Sequence, residues 1–206
     1  MRDGATALCL AVMIAGGAFP AVVSWAGEPH DQLRRHVDDA VKILDDPGLK
    51  GAAHVRERRA AIRAVTDRAL DTAGMAKRSL GRYWAPRTPE EQQEFIRLLG
   101  EYLQRSYEPR LDSYDGEKIT YSGERIDGAS AVVQALVTSV STTGQSHTPM
   151  EFRMMRTADG SWRIYDVLTD GVSLVENYRA QFIAVVQRGS YEELIKKMRA
   201  IVGTAP

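Results

Sequence analysis

The stretch MEFRMMRTADGSWRIYDV, residues 150–167, decides how this chain folds. Met150, Phe152 and Met154 alternate with polar neighbours, and a second β-rich run goes from Trp162 to Val167. Between them sits Asp159-Gly160, the dipeptide favoured in type I′ hairpin turns because both central positions need positive φ. With that two-residue turn Ala158 faces Ser161, which pairs Met154 with Tyr165 and Phe152 with Val167 on one face. Arg153 then meets Asp166, and Met155 meets Ile164, on the other. One face is wholly apolar or aromatic and the other carries an opposite-charge pair, as a consistent register requires.

The alternation extends upstream. Ile119 and Tyr121, then Ala131, Val133, Ala135 and Val137, read as two further strands of a half-buried antiparallel meander. Helices flank this sheet in sequence. Leu33, Val37, Ala40, Val41 and Leu44 form one stripe of a helix ended by Asp46-Pro47-Gly48. A second runs from about Ala52 to Leu70, with Val55, Ile62, Val65 and Ala69 inward and Arg56, Glu57, Arg59, Arg63, Asp67 and Arg68 outward; the interspersed acids favour a solvated face, and the alternative is an arginine stripe that approaches anionic headgroups or an acidic partner. Thr88-Pro89-Glu90-Glu91 is a capping box with Pro at the first helical position, opening a helix that closes near Pro109. Ser173 with Glu176, and Ser190 with Glu193, open two more. The order is helices, meander, helices: an α+β fold with a curved four-stranded antiparallel sheet covered by N-terminal and C-terminal helices.

Composition bounds the function. The 206 residues are 44% hydrophobic and 26% charged, with 27 basic side chains against 27 acidic. A zero balance argues against a nucleic-acid binder, which needs excess cation to displace counterions from phosphate. Ala5 to Ala18 is almost wholly apolar but too short to span a bilayer, and Ser24-Trp25-Ala26 places small residues where a signal peptidase reads them. Residues 1–26 therefore read as a secretory signal peptide cleaved after Ala26, and 27–206 as a single domain, free rather than lipid-anchored. Cleavage removes the only cysteine, Cys9, and leaves no disulfide framework.

Chemistry is sparse. His30, His36, His54 and His147 have no spacing suited to zinc, no phosphate-cradling glycine loop occurs, and Gly171-Val172-Ser173 lacks the second glycine of a nucleophile elbow. Tyr165 and Asp166 are the one pair suited to acid/base work, although the register turns Asp166 toward Arg153 as an ion pair. Met150 and Met154 on one strand could be core, or could line a cavity for flexible alkyl chains, since methionine adapts to irregular apolar shapes.

Met75-Ala76, Leu80-Gly81-Arg82-Tyr83-Trp84, Thr88-Pro89-Glu90-Glu91-Gln92 and Phe95 resemble the signature of the MlaC family of periplasmic phospholipid-binding proteins, the toluene-tolerance auxiliary component. The resemblance continues at Trp162 to Val167, at Asp170-Gly171-Val172-Ser173-Leu174-Val175, and at Asn177-Tyr178-Arg179 with Phe182, so it covers essentially the whole mature chain. A hopanoid-associated branch of the family exists. Just before the first motif, relatives carry aromatics around an Asp where this chain has Leu70-Asp71-Thr72.

The resemblance implies a nuclear-transport-factor-like sheet whose helices enclose an apolar pocket. It also implies a monomeric, non-enzymatic carrier that shuttles phospholipid between the MCE-domain subunit of an inner-membrane ABC transporter and an outer-membrane lipoprotein. It brings bound phospholipid as ligand but no metal or other cofactor. By position, the lipid-facing candidates are Leu80, Tyr83, Trp84, Tyr107, Val133, Ala135, Phe152, Met154, Tyr165, Val167, Val172 and Tyr178. Two other readings stay open on the residues: a small enzyme using Tyr165 and Asp166, and a protein-binding adaptor with a solid core.

Overall fold

Capping chemistry places the helices. The computed structural model describes residues 28–141 and 144–203, so the predicted signal segment lies outside it. Helix α1 (Glu28–Asp45) ends where the Asp46 carboxylate accepts from the Gly48 N–H at 2.8 Å. Helix α2 (Val55–Ala69) leads through Leu70 to α3 (Thr72–Leu80), whose first turn is capped by Asp71 accepting from Gly74 N–H at 2.8 Å. In α4 (Pro89–Asp112) the capping box is reciprocal: Glu91 N–H donates to Thr88 Oγ1 at 3.3 Å, and Thr88 N–H donates to Glu91 Oε2 at 2.9 Å. The helix continues through Pro109 rather than closing there, and the added turn brings Leu111 and Asp112 into line with Gln104 and Glu108.

The sheet is a meander of five antiparallel strands, in sequence order, where four were expected: β1 (Lys118–Asp127), β2 (Ser130–Ser141), β3 (Gly144–Arg156), β4 (Trp162–Thr169) and β5 (Val172–Ser173). The fifth strand arises because the turn expected at Asp159-Gly160 is used eleven residues later. Asp170 and Gly171 have φ of 50° and 77°, so this second Asp-Gly makes the two-residue turn with two left-handed centres.

At Asp159-Gly160 only the glycine has positive φ, 85°, and a three-residue loop forms, closed by Gly160 N–H to Thr157 O and Thr157 N–H to Ser161 O. That shifts the register by one: Met154 pairs with Ile164 and Met155 with Arg163, not with Tyr165 and Ile164. A bulge between Arg153 and Met154 then cancels the shift, restoring Arg153 opposite Asp166 and Phe152 opposite Val167. Tyr165 is the extra residue, and it leaves the face it was assigned to.

Helices α5 (Leu174–Arg188) and α6 (Tyr191–Gly203) complete the chain. Two apolar cores result. Met75, Leu80, Phe95, Leu98, Leu99, Phe182, Leu194 and Met198 form a helical core among α3, α4, α5 and α6. Leu33, Ala69, Val133, Phe152, Met154, Trp162 and Ile164 form another between the sheet and α1 and α2, with Leu70 packed against both.

Candidate functional site

A cavity of about 680 Å³ lies where these two cores fail to meet. That is far larger than the room needed for one water and falls within the range of small-molecule sites. Its walls follow helical period. α2 turns Arg59, Ile62, Arg63 and Thr66 toward it, and α4 turns Gly100, Leu103, Gln104, Tyr107, Glu108 and Leu111. Leu33, Val37 and Ala40 of α1, Met75 of α3, and Met150, Phe152, Ile164 and Val167 of the sheet supply apolar surface. Val172 at the rim is 63% exposed, an unusual state for a large aliphatic side chain.

One wall is charged. Arg59 Nη2 donates to Asp112 Oδ2 at 2.6 Å, and Arg59 Nη1 lies 3.0 Å from Glu108 Oε2. Arg58 Nη2 donates to the other Asp112 oxygen at 2.7 Å, and Arg63 Nη1 to Gln104 Oε1 at 2.6 Å. Hydrogen bonds from Arg59 and then Arg58 hold the Asp112 carboxyl below its ordinary value, and the bond to Asp112 raises Arg59 in turn. All these side chains keep some water contact, so each pair adds at most about 1 kcal/mol. The expected solvated stripe on α2 is largely there: Arg56 and Arg68 face water, Arg63 and Asp67 are exposed at the rim of the cavity, and Arg59 is the one drawn partly into its wall. His36 lines it as well, its pKa lowered first by burial and then by Arg68.

Of the twelve residues singled out in the sequence, Tyr107, Phe152, Val167, Val172 and Tyr178 line the cavity. The others lie elsewhere. Leu80 is fully buried in the helical core, where Trp84 packs at its edge, and Tyr83 accepts a hydrogen bond from Arg82 Nη2 at 3.0 Å. Val133, Ala135 and Met154 are buried in the core beneath the sheet without reaching the opening. Tyr165, displaced by the bulge, stacks under the Arg78 guanidinium at 4.0 Å.

Asp166 is buried and accepts from Ser173 Oγ at 2.7 Å and from Val175 N–H at 3.1 Å, with Arg153 Nη1 at 3.6 Å. The ion pair is there, but the carboxylate also satisfies the start of α5. Missed from the sequence were Leu33, Val37, Ile62, Leu103, Leu111, Arg59 and Arg63. The helical period marked Leu33, Val37 and Ile62 as inward-facing, but inward-facing toward a core and toward a void look alike in one dimension; Leu111 lies past Pro109, where the helix was expected to close.

Among the described residues no group of three or more His, Cys, Asp or Glu could hold a metal ion, and no helix is long and apolar enough to cross a membrane. The model of the family described as MlaC protein matches residues 34–200. The chain belongs to the MlaC family. It is similar to the intermembrane phospholipid transport system binding protein MlaC of Haemophilus influenzae, 24% identical over 131 residues that cover 63% of this chain. The chain spans 60% of that relative's length.

It is likewise 24% identical over 173 residues to the toluene tolerance protein ttg2D of Pseudomonas putida, covering 83% of this chain and 79% of that protein. Among solved structures, the phospholipid-binding protein from Ralstonia solanacearum, in complex with a phospholipid, superposes with a TM-score of 0.74. The identity is 24%, and 85% of this chain and 97% of that one are covered, so the two chains share a fold.

Proposed function

We propose that this MlaC-family chain is a periplasmic carrier that holds a phospholipid by its acyl chains in the cavity between α1, α2, α4 and the sheet. The observation that carries the reading is that cavity: about 680 Å³ walled mostly by aliphatic and aromatic side chains, with its charge gathered on one side. Tyr107, Phe152, Val167, Val172 and Tyr178 contact the acyl chains, and the buried Val133, Ala135 and Met154 back that wall. The names of the relatives support the reading, since they speak of phospholipid binding and intermembrane transport.

The energetics fit a carrier. About 30 buried methylenes at ~0.8 kcal/mol each give about 24 kcal/mol gross, above the practical ceiling near ~20 kcal/mol. Ordering and desolvation offset part of that gain. Release then requires that a docked partner favour an open arrangement of helices over sheet. The partners in this reading are an inner-membrane MCE-domain subunit and an outer-membrane lipoprotein, reached by a monomer whose signal segment is cleaved near Ala26. No catalysis and no cofactor are involved. Support comes from the one acid/base candidate pair, Asp166 being committed to Ser173 and Val175 and Tyr165 to Arg78.

Organic extraction of the purified protein followed by mass spectrometry tests this. Stoichiometric diacyl phospholipid is expected from the wild type and none from Phe152→Asp, which places a carboxylate in the apolar wall. A wild type that carries no lipid, or a Phe152→Asp variant that carries the full amount, overturns the proposal.

A further inference from the structure

The charged wall is more than a strut. If the acyl chains lie among Ile62, Leu103, Phe152 and Ile164, the one obligate charge of any phospholipid, on its phosphate (a phosphodiester wherever a headgroup alcohol is attached), must come to rest where the cavity meets water. The side of the cavity that offers cations there is α2. Arg59 and Arg63 stand one helical turn apart, on the face that also carries Ile62 into the cavity. Their side chains border the cavity and are 24% and 46% exposed, so they can reach a ligand without losing all hydration.

The present partners of these arginines are replaceable. Arg59 Nε is buried and has no hydrogen-bond partner, so one donor is already unspent. Arg63 makes its short bond to the neutral amide of Gln104, and the nearest carboxylate, Asp67, is 3.6 Å away. Exchanging an amide oxygen for a phosphate oxygen gives the guanidinium an ionised acceptor, so that a charge–dipole hydrogen bond becomes an ion pair with two oxygens in reach of the fork. Asp112 would not be orphaned if Arg59 turned away, because Arg58 holds its other oxygen at 2.7 Å. Arginine suits the task because its planar fork matches two phosphate oxygens at once.

We propose that Arg59 and Arg63 form the phosphate subsite of the cavity, with Glu108, Asp112 and Gln104 as the acceptors that the phosphodiester displaces. The inference rests on the phospholipid reading above. It adds that the chain selects for the phosphodiester itself.

The test uses the delipidated chain with three probes: dioctanoyl phosphatidylglycerol, the uncharged dioctanoylglycerol, and inorganic phosphate. The wild type should bind the phospholipid about tenfold to a hundredfold more tightly than dioctanoylglycerol, the factor expected for hydrogen bonds to a charged group. In the double variant R59Q/R63Q that gap should close through loss of phospholipid affinity, with dioctanoylglycerol binding unchanged. Should the double variant fail to fold, Glu108→Gln, which removes one of the two carboxylate charges facing Arg59 and leaves Asp112 in place, should tighten phospholipid binding several-fold and leave dioctanoylglycerol unaffected.

A gap that persists in R59Q/R63Q, or no gain in Glu108→Gln, overturns the phosphate subsite while leaving the cavity reading intact. Inorganic phosphate binding as tightly as the phospholipid would make this a free-anion site and also overturn it. A wild type that binds neither lipid removes the carrier reading itself.

Discussion

The two apolar regions of this molecule are built from the same residue types and end differently. In the helical region, Phe95 and Phe182 meet edge to face at 5.7 Å, Tyr178 stacks on Phe182 at 5.7 Å, and Tyr102 closes on Tyr178 at 5.5 Å. Aromatic rings interlock there edge to face and stacked, and only the end of the row, Tyr178, reaches the cavity. In the region beneath the sheet, Leu33, Ile62, Val65 and Ile164 are equally buried, yet they surround open volume. Between the facing sides of α2 and α4 the bridge is made by arginine with carboxylate and amide, which are long enough to span a gap that aliphatic side chains leave unfilled. Low exposure therefore does not distinguish a solid core from a chamber; what stands across from the side chain does.

Truncation on each side of this divide should break the symmetry. Phe95→Ala removes a ring packed on all sides and should cost about 3–5 kcal/mol in urea unfolding. Ile62→Ala, in the cavity wall, removes side-chain atoms that already lack neighbours on one side, and should cost about 2 kcal/mol, the low end for an aliphatic truncation. Equal costs would mean that the wall packs as tightly as the helical core.

The smallest expected effect sharpens the role of the charged seam. Asp112 has its pKa lowered from 3.8, so the unfolded chain takes up its proton before the folded one does. Its contribution is fully present above that value and disappears as pH falls below it. The stability difference between wild type and Asp112→Asn should be constant above about pH 5 and shrink only in stronger acid. A difference that vanishes near neutrality would mean that the seam is not the Asp112 carboxylate's doing.

Much of this architecture was legible because it is written locally. The Thr88 and Ser173 caps act within four residues, and the meander announced itself by alternation. The hairpin register was read correctly at Phe152 and Val167 and wrongly at Met154 and Met155, since Asp-Gly does not by itself fix the length of its loop. At Asp159-Gly160 the Thr157 hydroxyl bonds to Asp159 and Ser161 and favours the longer loop. The compensating bulge at Tyr165 could not be counted from composition. Nor could the site: the family motif around Leu80, Tyr83 and Trp84 pointed to the helical core and its edge, while the residues bordering the cavity include an arginine pair that looked solvated.

Helix boundaries, strand periodicity and the inward face of each element follow from short-range chemistry: side chains meeting backbone groups within a turn, and apolar residues recurring at the period of their own element. Whether two inward faces touch or stand apart is settled by elements distant in the chain. Here Arg59 and Glu108, 49 positions apart in sequence, come within 3.0 Å of each other, and that meeting turns two ordinary amphipathic helices into the charged wall of a chamber.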